Sequence, residues 1–235
     1  MAPMAKITCI QHIECEGPGT LGEILKSKGV EIVTVQPAKG EPIPDHLGDG
    51  LVVLGGPMGA YEETQHPWLV AELAALEKAL ESRLPILGIC LGSQLLAKAA
   101  GAQVFRGAQP EVGWHPIFLT PEGSKDPLLM GLPPEMTVFH WHGDTYTLPP
   151  KAERLAWSDL SRIQAYRIGS NAYGFQFHLE VTKEMAGDWM QKYARELTYQ
   201  GGVIQPERIT NGLDANIGRM RAWADATFSR FAALL

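Results

Sequence analysis

PILGICLGSQLLAKAA, residues 85–100, is the stretch that decides the fold of this chain. Its first five residues form a short apolar run, as expected of a strand that is buried on both faces of a sheet. The residues from Gln94 onward predict a helix over 94–100. A buried strand that passes through a glycine-flanked turn into a helix is typical of a parallel sheet covered by helices.

The residues before this stretch repeat the alternation of strands and helices. Short β-type runs occupy 6–12, 30–35 and 51–54, and helical patterns occupy 20–28 and 67–82. In the second helical segment apolar residues recur every three or four positions, at Leu69, Leu73, Leu76 and Leu80. The sequence therefore predicts an α/β fold, with a mainly parallel central sheet and helices on both faces.

After Gly101 the pattern changes to short β-like runs that are separated by glycine and proline. The runs cover 104–120, 137–140, 155–158, 164–168 and 172–178. They predict further strands, some of them antiparallel, added to the central sheet. Helices are predicted over 181–197 and 213–235, with a loop over 200–211. We therefore expect one domain over 1–199, followed by a C-terminal loop and helix over 200–235 that packs on the same domain.

The composition narrows the range of functions. The chain has 235 residues, of which 45% are hydrophobic and 20% charged, an ordinary globular balance. A net charge of −6 argues against nucleic acid or an anionic membrane surface as a partner. No apolar run approaches the roughly 18 residues of a membrane span, and the N-terminus lacks a signal-peptide pattern, so we predict a cytoplasmic location. The three cysteines, Cys9, Cys15 and Cys90, do not form a disulfide framework or a zinc motif.

The chemistry centres on GICLG, residues 88–92, between the buried strand and the helix. This pattern is a nucleophile elbow with cysteine in place of serine. Gly88 and Gly92 let the backbone turn sharply, which places the sulfur of Cys90 at the end of the sheet. The N-terminus of the following helix stabilises negative charge on that sulfur. Taken alone, these five residues fit a buried, unreactive cysteine about as well.

The segment GFQFHLE, residues 174–180, supplies the partners that a nucleophilic cysteine needs. Residues i and i+2 of a strand lie on the same face, so His178 and Glu180 are expected to be within reach of one another. The carboxylate can then orient the imidazole, whose other nitrogen exchanges a proton with the sulfur and the leaving group. Without the elbow, an accidental polar pair at a strand end would be the simpler interpretation.

Three segments together resemble the class I, or triad, glutamine amidotransferases in their order and spacing: GGP at 55–57, GICLGSQ at 88–94 and FQFHLE at 175–180. The segments VGWHPI at 112–117 and VFHWHGDT at 138–145 resemble the stand-alone branch that is related to the glutaminase domain of GMP synthase. The resemblance covers roughly 51–182 and implies the flavodoxin-like fold of that family. SRIQ at 161–164 departs from the branch's usual Asn-Gln arrangement, a difference that bears on substrate preference.

The resemblance also implies roles for single residues. Cys90 is expected to be the nucleophile, His178 the general base and then acid, and Glu180 the carboxylate that orients the imidazole. The backbone N–H groups of Gly56 and Leu91 are expected to form the oxyanion hole. Such donors stabilise the charge that develops on the carbonyl oxygen.

Three further residues, Gln94, Gly143 and Asp144, are implied to bind the substrate, the last two in a loop that lies over the glutamine site. Three histidines raise the question of a metal: His115, His140 and His142. They are spread among aromatic and glycine residues, so we expect packing or pocket lining and no metal site.

The implied reaction is attack on the γ-carbonyl of glutamine, which gives a γ-glutamyl thioester and ammonia without a cofactor. The sequence has no Walker-type loop for an ATP-dependent acceptor site, and this absence leaves two candidates open. The first is a glutaminase that supplies a separate synthetase subunit. The alternative is a stand-alone γ-glutamyl peptidase or hydrolase acting on γ-glutamyl peptides such as glutathione or its conjugates. A non-catalytic binding protein of the same fold is less favoured, because all three triad residues are present. Other cysteine hydrolases share the elbow, but not the GGP and FQFHLE segments.

Overall fold

The computed structural model describes residues 4–194 and 206–235. Its strands in chain order are β1 (Lys6–Ile10), β2 (Glu31–Val35), β3 (Gly50–Val53), β4 (Ile86–Ile89), β5 (Val104–Leu119), β6 (Glu135–Tyr146), β7 (Ala152–Trp157), β8 (Ala165–Ile168) and β9 (Ala172–Phe175). They form one mixed sheet in the order β2-β1-β3-β4-β9-β8-β7-β5-β6. Strands β2, β1, β3, β4 and β9 pair in parallel, and β9, β8, β7, β5 and β6 pair antiparallel. The predicted parallel core with added antiparallel strands is confirmed.

Helices cover both faces of the parallel strands. They are α1 (Gly19–Ser27), α2 (Trp68–Glu81), α3 (Leu91–Ala99), α4 (Lys183–Lys192) and α5 (Pro206–Ala232). Side chains of α1, α4 and α5 belong to one hydrophobic cluster, and those of α2 and α3 belong to a second. Neighbouring strand residues alternate between the two clusters, Val52 joining the first and Val53 the second. This alternation explains why the central strands read as continuous apolar runs. Among the described residues, no helix is both long and apolar enough to cross a membrane.

The C-terminal helix corrects one prediction. The loop predicted over 200–211 is helical in its described part, 206–211. Residues 195–205, which include the end of the helix predicted over 181–197 and the start of this loop, lie outside the described residues. The Asn211-Gly212 pair favours a turn, but a tertiary contact overrides it. The indole of Trp114 donates a hydrogen bond to the carbonyl oxygen of Ile209 at 3.1 Å and fills the space beside Gly212 that a side chain would occupy. The domain division near residue 199 stays a prediction.

The two glycines of α5 should respond to alanine with opposite signs. A Cβ on Gly212 would lie 2.2 Å from Cδ1 of Trp114, whereas a Cβ on Gly218 meets nothing within 4 Å. Overpacking should make Gly212→Ala lower the free energy of unfolding by about 1–3 kcal/mol. Gly218→Ala should raise it by about 0.5–1 kcal/mol, because alanine is the better helix former. Urea unfolding of both variants measures the difference, and equal stabilisation by both would contradict the packing described for Trp114.

Candidate active site

Cys90 lies at the junction of β4 and α3, with a backbone φ of +51° and ψ of −108°. This conformation is uncommon for a residue with a side chain and stores strain at the junction. The carbonyl oxygen of Cys90 accepts hydrogen bonds from the N–H groups of Ser93 and Gln94 at 3.0 and 3.1 Å. The helix therefore begins at Leu91, three residues earlier than predicted, because Cys90 itself provides its first acceptor.

The glycines on either side of Cys90 are required by close backbone contacts. A Cβ on Gly88 would lie 2.4 Å from the carbonyl oxygen of Gly92. A Cβ on Gly92 would lie 2.0 Å from the carbonyl oxygen of Val53, in the neighbouring strand β3. No side chain fits at either position, so this tight turn depends on both glycines.

The strand predicted over 172–178 is shorter in the structure, where β9 ends at Phe175. The following residues leave β9, and the N–H of His178 donates to the carbonyl oxygen of Phe139 in β6 at 2.8 Å. The chain still brings the two predicted side chains together. Nδ1 of His178 lies 2.6 Å from Oε1 of Glu180, and both residues are almost fully buried.

The charges around His178 favour its protonated form. Burial alone lowers the pKa of this imidazole, but Glu180 and Cys90 outweigh that effect and hold the pKa well above its ordinary value. Within the described part of the chain, Nε2 of His178 has no hydrogen-bond partner of normal geometry. The ring is thus oriented through Nδ1, and Nε2 is left available for proton transfer.

Cys90 and His178 open into a cavity of about 280 Å³. Gly56 lines the same cavity, and a Cβ placed on it would lie 3.0 Å from Cδ2 of Leu91. Neither the N–H of Gly56 nor that of Leu91 donates a hydrogen bond to another described residue. Among the described residues, the residue after Cys90 and a glycine of the same cavity therefore each keep an unpaired backbone donor.

The predicted substrate-binding residues also line this cavity. Nε2 of Gln94 donates to Oε1 of Gln176 at 3.2 Å, so this amide is already held by a neighbour. Gly143 and Asp144 lie on strand β6, which corrects the expectation that they sit in a loop. Asp144 pairs in register with Arg106 of β5, a cation that the sequence did not point out. The strand predicted over 137–140 was too short, because His142, Gly143 and Asp144 interrupt the apolar pattern in the second half of β6.

Three further residues of the cavity were missed from the sequence: Glu16, Trp189 and Tyr193. The hydroxyl of Tyr193 donates to Oε1 of Glu16 at 2.7 Å, and burial raises the pKa of this carboxyl group. The rings of Trp189 and His178 meet edge to face with centroids 4.8 Å apart. Trp189 and Tyr193 are four residues apart at the end of α4, and residues at this spacing lie on one face of a helix. The sequence could therefore have indicated that the two rings lie together.

One buried cluster has the composition of a cation site. Ligand atoms of Glu111, His140 and His142 lie within 4.8 Å of one another. Hydrogen bonds already occupy the Glu111 carboxylate, from Oγ of Ser158 at 2.7 Å and Nε2 of Gln164 at 2.6 Å. Burial opposes ionisation of Glu111, but the hydrogen bond from His142 and the nearby histidines lower its pKa to about 2. The absence of a metal stays a prediction. Gln164 does not line the cavity, but its side chain holds Glu111, which lies 3.3 Å from the cavity residue His142.

Comparison with known proteins agrees with this architecture. The glutamine amidotransferase class I family matches residues 21–193. The glutamine amidotransferase-like protein YfeJ of Salmonella typhimurium is 32% identical over 223 residues, 93% of this chain and 90% of that protein. A glutamine-hydrolyzing GMP synthase subunit from Sulfolobus acidocaldarius is 34% identical over 67% of this chain and 80% of its own. The crystal structure of a glutamine amidotransferase from Thermotoga maritima, 32% identical, superposes with a TM-score of 0.89 over 98% of this chain and 99% of its own. The chain belongs to the class I glutamine amidotransferases.

Proposed function

We propose that this chain hydrolyses the γ-amide bond of glutamine with Cys90, His178 and Glu180. The observation that carries the proposal is that Cys90, on a strained backbone turn, lines one cavity with His178, which is paired with the buried Glu180. Nucleophile, base and orienting carboxylate in this relation are the parts of a covalent acyl-transfer site. The name of the relative from Sulfolobus acidocaldarius, a glutamine-hydrolyzing synthase component, supports the same bond as the target.

The reaction proceeds in two halves. With the proton of the Cys90 thiol taken up by His178, Sγ attacks the γ-carbonyl carbon. The negative charge on the carbonyl oxygen is stabilised by the N–H groups of Gly56 and Leu91. The C–N bond breaks as protonated His178 transfers its proton to the leaving nitrogen, which gives ammonia and a γ-glutamyl thioester. Water then attacks the thioester with His178 as the base, releasing glutamate and restoring the thiol. Glu180 holds the imidazole throughout, and the proposed reaction uses no cofactor.

The remaining residues of the cavity suit the amino-acid end of the substrate. Arg106 offers a cation for an α-carboxylate, and Asp144, its partner in register, offers an anion for an α-ammonium group. Gln94 and the backbone of Gly143 add polar contacts. A cavity of about 280 Å³ fits a small substrate.

A second candidate is a γ-glutamyl peptidase, and one observation favours it. The leaving nitrogen must lie beside His178, and this side of the cavity carries the rings of Trp189 and Tyr193 and the carboxylate of Glu16. Ammonia makes little use of such a surface, whereas an amino-acid or peptide leaving group can pack on the rings. The first candidate, in contrast, fits a glutaminase whose ammonia is consumed by a separate synthetase chain.

Release of glutamate by the purified chain distinguishes the two candidates. The substrates are glutamine, a panel of γ-glutamyl peptides including glutathione, and α-glutamyl dipeptides as matched controls. Turnover of γ-linked but not α-linked substrates is expected. A peptide preference would identify the peptidase, and a glutamine preference the glutaminase. Equal cleavage of α-linked and γ-linked peptides would contradict both.

A further inference from the structure

A second buried histidine–carboxylate pair, separate from the triad, contacts the backbone of the Gly55–Gly56 segment. Nε2 of His12 lies 3.0 and 3.1 Å from the two carboxylate oxygens of Glu72, and both side chains are fully buried. His12 follows strand β1, and Glu72 projects from α2. The imidazole also stacks on Trp68, one turn earlier in α2, with ring centroids 5.5 Å apart. The ring is therefore held from two directions by one helix.

The other nitrogen of His12 contacts the backbone beside Cys90. Nδ1 lies 2.8 Å from the carbonyl oxygen of Gly55. A carbonyl oxygen only accepts hydrogen bonds, so Nδ1 must carry a proton. Nε2 faces a carboxylate, which favours a proton there as well. Burial by itself lowers the pKa of His12, but Glu72 and the Gly55 carbonyl raise it, and the net shift is upward. Both ring nitrogens of His12 therefore face hydrogen-bond acceptors, an arrangement that favours the protonated ring.

The hydrogen bond to Gly55 fixes the direction of the N–H of Gly56. The carbonyl of Gly55 and the N–H of Gly56 belong to one planar peptide group, which is trans. In a trans peptide these two groups point in opposite directions. Because the carbonyl points to His12, the N–H of Gly56 points away from His12. Gly56 lines the cavity together with Cys90, and its N–H meets no acceptor among the described residues.

We propose that His12 and Glu72 are positioning residues that aim the N–H of Gly56 at the oxyanion. This inference rests on the proposed function, since it assigns a role within the same acyl transfer. Glu72 holds His12, His12 holds the peptide plane, and the peptide plane presents the donor. A hydrogen bond donated to the carbonyl of Gly55 also polarises this peptide, which makes the N–H of Gly56 the stronger donor. Neither His12 nor Glu72 lines the cavity.

Two variants test the inference. Glu72→Gln keeps the shape of the side chain and removes its charge. The double variant His12→Phe/Glu72→Leu removes the hydrogen bond to Gly55 without leaving an unpaired buried charge. Asp126→Asn is the matched control, because Asp126 is also a buried carboxylate in an ion pair, with Arg167 at 2.8 Å, and does not line the cavity.

The readout compares hydrolysis with alkylation of Cys90. Loss of an aligned oxyanion donor should lower kcat of the double variant by about 10²-fold, with little change in KM. Glu72→Gln should lower kcat less, by about tenfold, because His12 remains in place. Iodoacetamide alkylates the sulfur by displacing iodide from a saturated carbon, with no tetrahedral oxyanion. The rate of Cys90 alkylation should therefore be unchanged in both variants and in the control.

The outcomes separate this inference from the proposed function. An active wild type whose variants keep full kcat would overturn the inference alone. A parallel fall in hydrolysis and alkylation would also overturn it, because the pair would then only support the local structure around Cys90. A wild type that hydrolyses no γ-glutamyl substrate would overturn the proposed function and this inference together.

Discussion

Replacing Cys90 by alanine should lower γ-glutamyl hydrolysis by about 10⁴-fold or more, to the limit of detection. Without the thiol there is no acyl-enzyme route, and loss of a nucleophile from a triad costs about as much as loss of the whole triad. Substrate binding should survive, because the cavity walls and the two backbone donors are unchanged. Glutamate release under saturating substrate measures the loss, and calorimetric substrate binding to the variant measures what remains. Retained turnover would refute the assignment of Cys90.

The other two cysteines provide the controls for this experiment. Burial raises the pKa of the Cys9 thiol to about 12, so it is a poor nucleophile at neutral pH. Burial and the neighbouring Glu16 also raise the pKa of Cys15. Cys15→Ala should keep wild-type turnover. A glutamine-analogue electrophile should label Cys90 far faster than Cys9 or Cys15, and equal labelling of all three would contradict a specially reactive Cys90.

The sheet was predictable from the sequence where one local rule applies along the whole element. The apolar runs at β3 and β4 are too short for a buried helix and therefore indicate buried strands. The leucine spacing of α2 matches one face of a helix. Prediction failed where a distant contact decides the structure. Residues 206–211 are helical although Asn211-Gly212 favours a turn, because Trp114, about a hundred positions earlier, packs on Gly212. No local pattern carries that contact.

The candidate site divides in the same way. The elbow at Cys90 and the pair at His178 and Glu180 are short motifs, and their local spacing predicts which side chains meet. Glu16 and Tyr193 meet across the cavity although they are far apart in the sequence. His12 and Glu72 also come together only through packing, of the end of β1 against α2. Local spacing does not reveal such contacts.

Replacing Glu180 by glutamine should lower kcat/KM by about 10²- to 10⁴-fold and move the alkaline limb of the pH profile to lower pH. An uncharged amide no longer stabilises the imidazolium ion, and a wrongly oriented ring transfers protons poorly, the reason for losses of this size in other triads. The exposed residue Glu184, four positions later, provides the control, because Glu184→Gln should leave both the rate and the pH profile unchanged.

The direction of the pH shift follows from the environment of His178. In the wild type, Glu180 and Cys90 raise the pKa of this imidazole against the opposing effect of burial, so the ring stays protonated above its ordinary pKa of about 6.5. The protonated ring is the acid that expels the leaving nitrogen, so activity is lost as pH rises through the raised pKa. Without Glu180 the pKa falls and this loss begins at lower pH. A rate that drops without any movement of the alkaline limb would mean that Glu180 only orients the ring. An unchanged rate would remove Glu180 from the proposed triad.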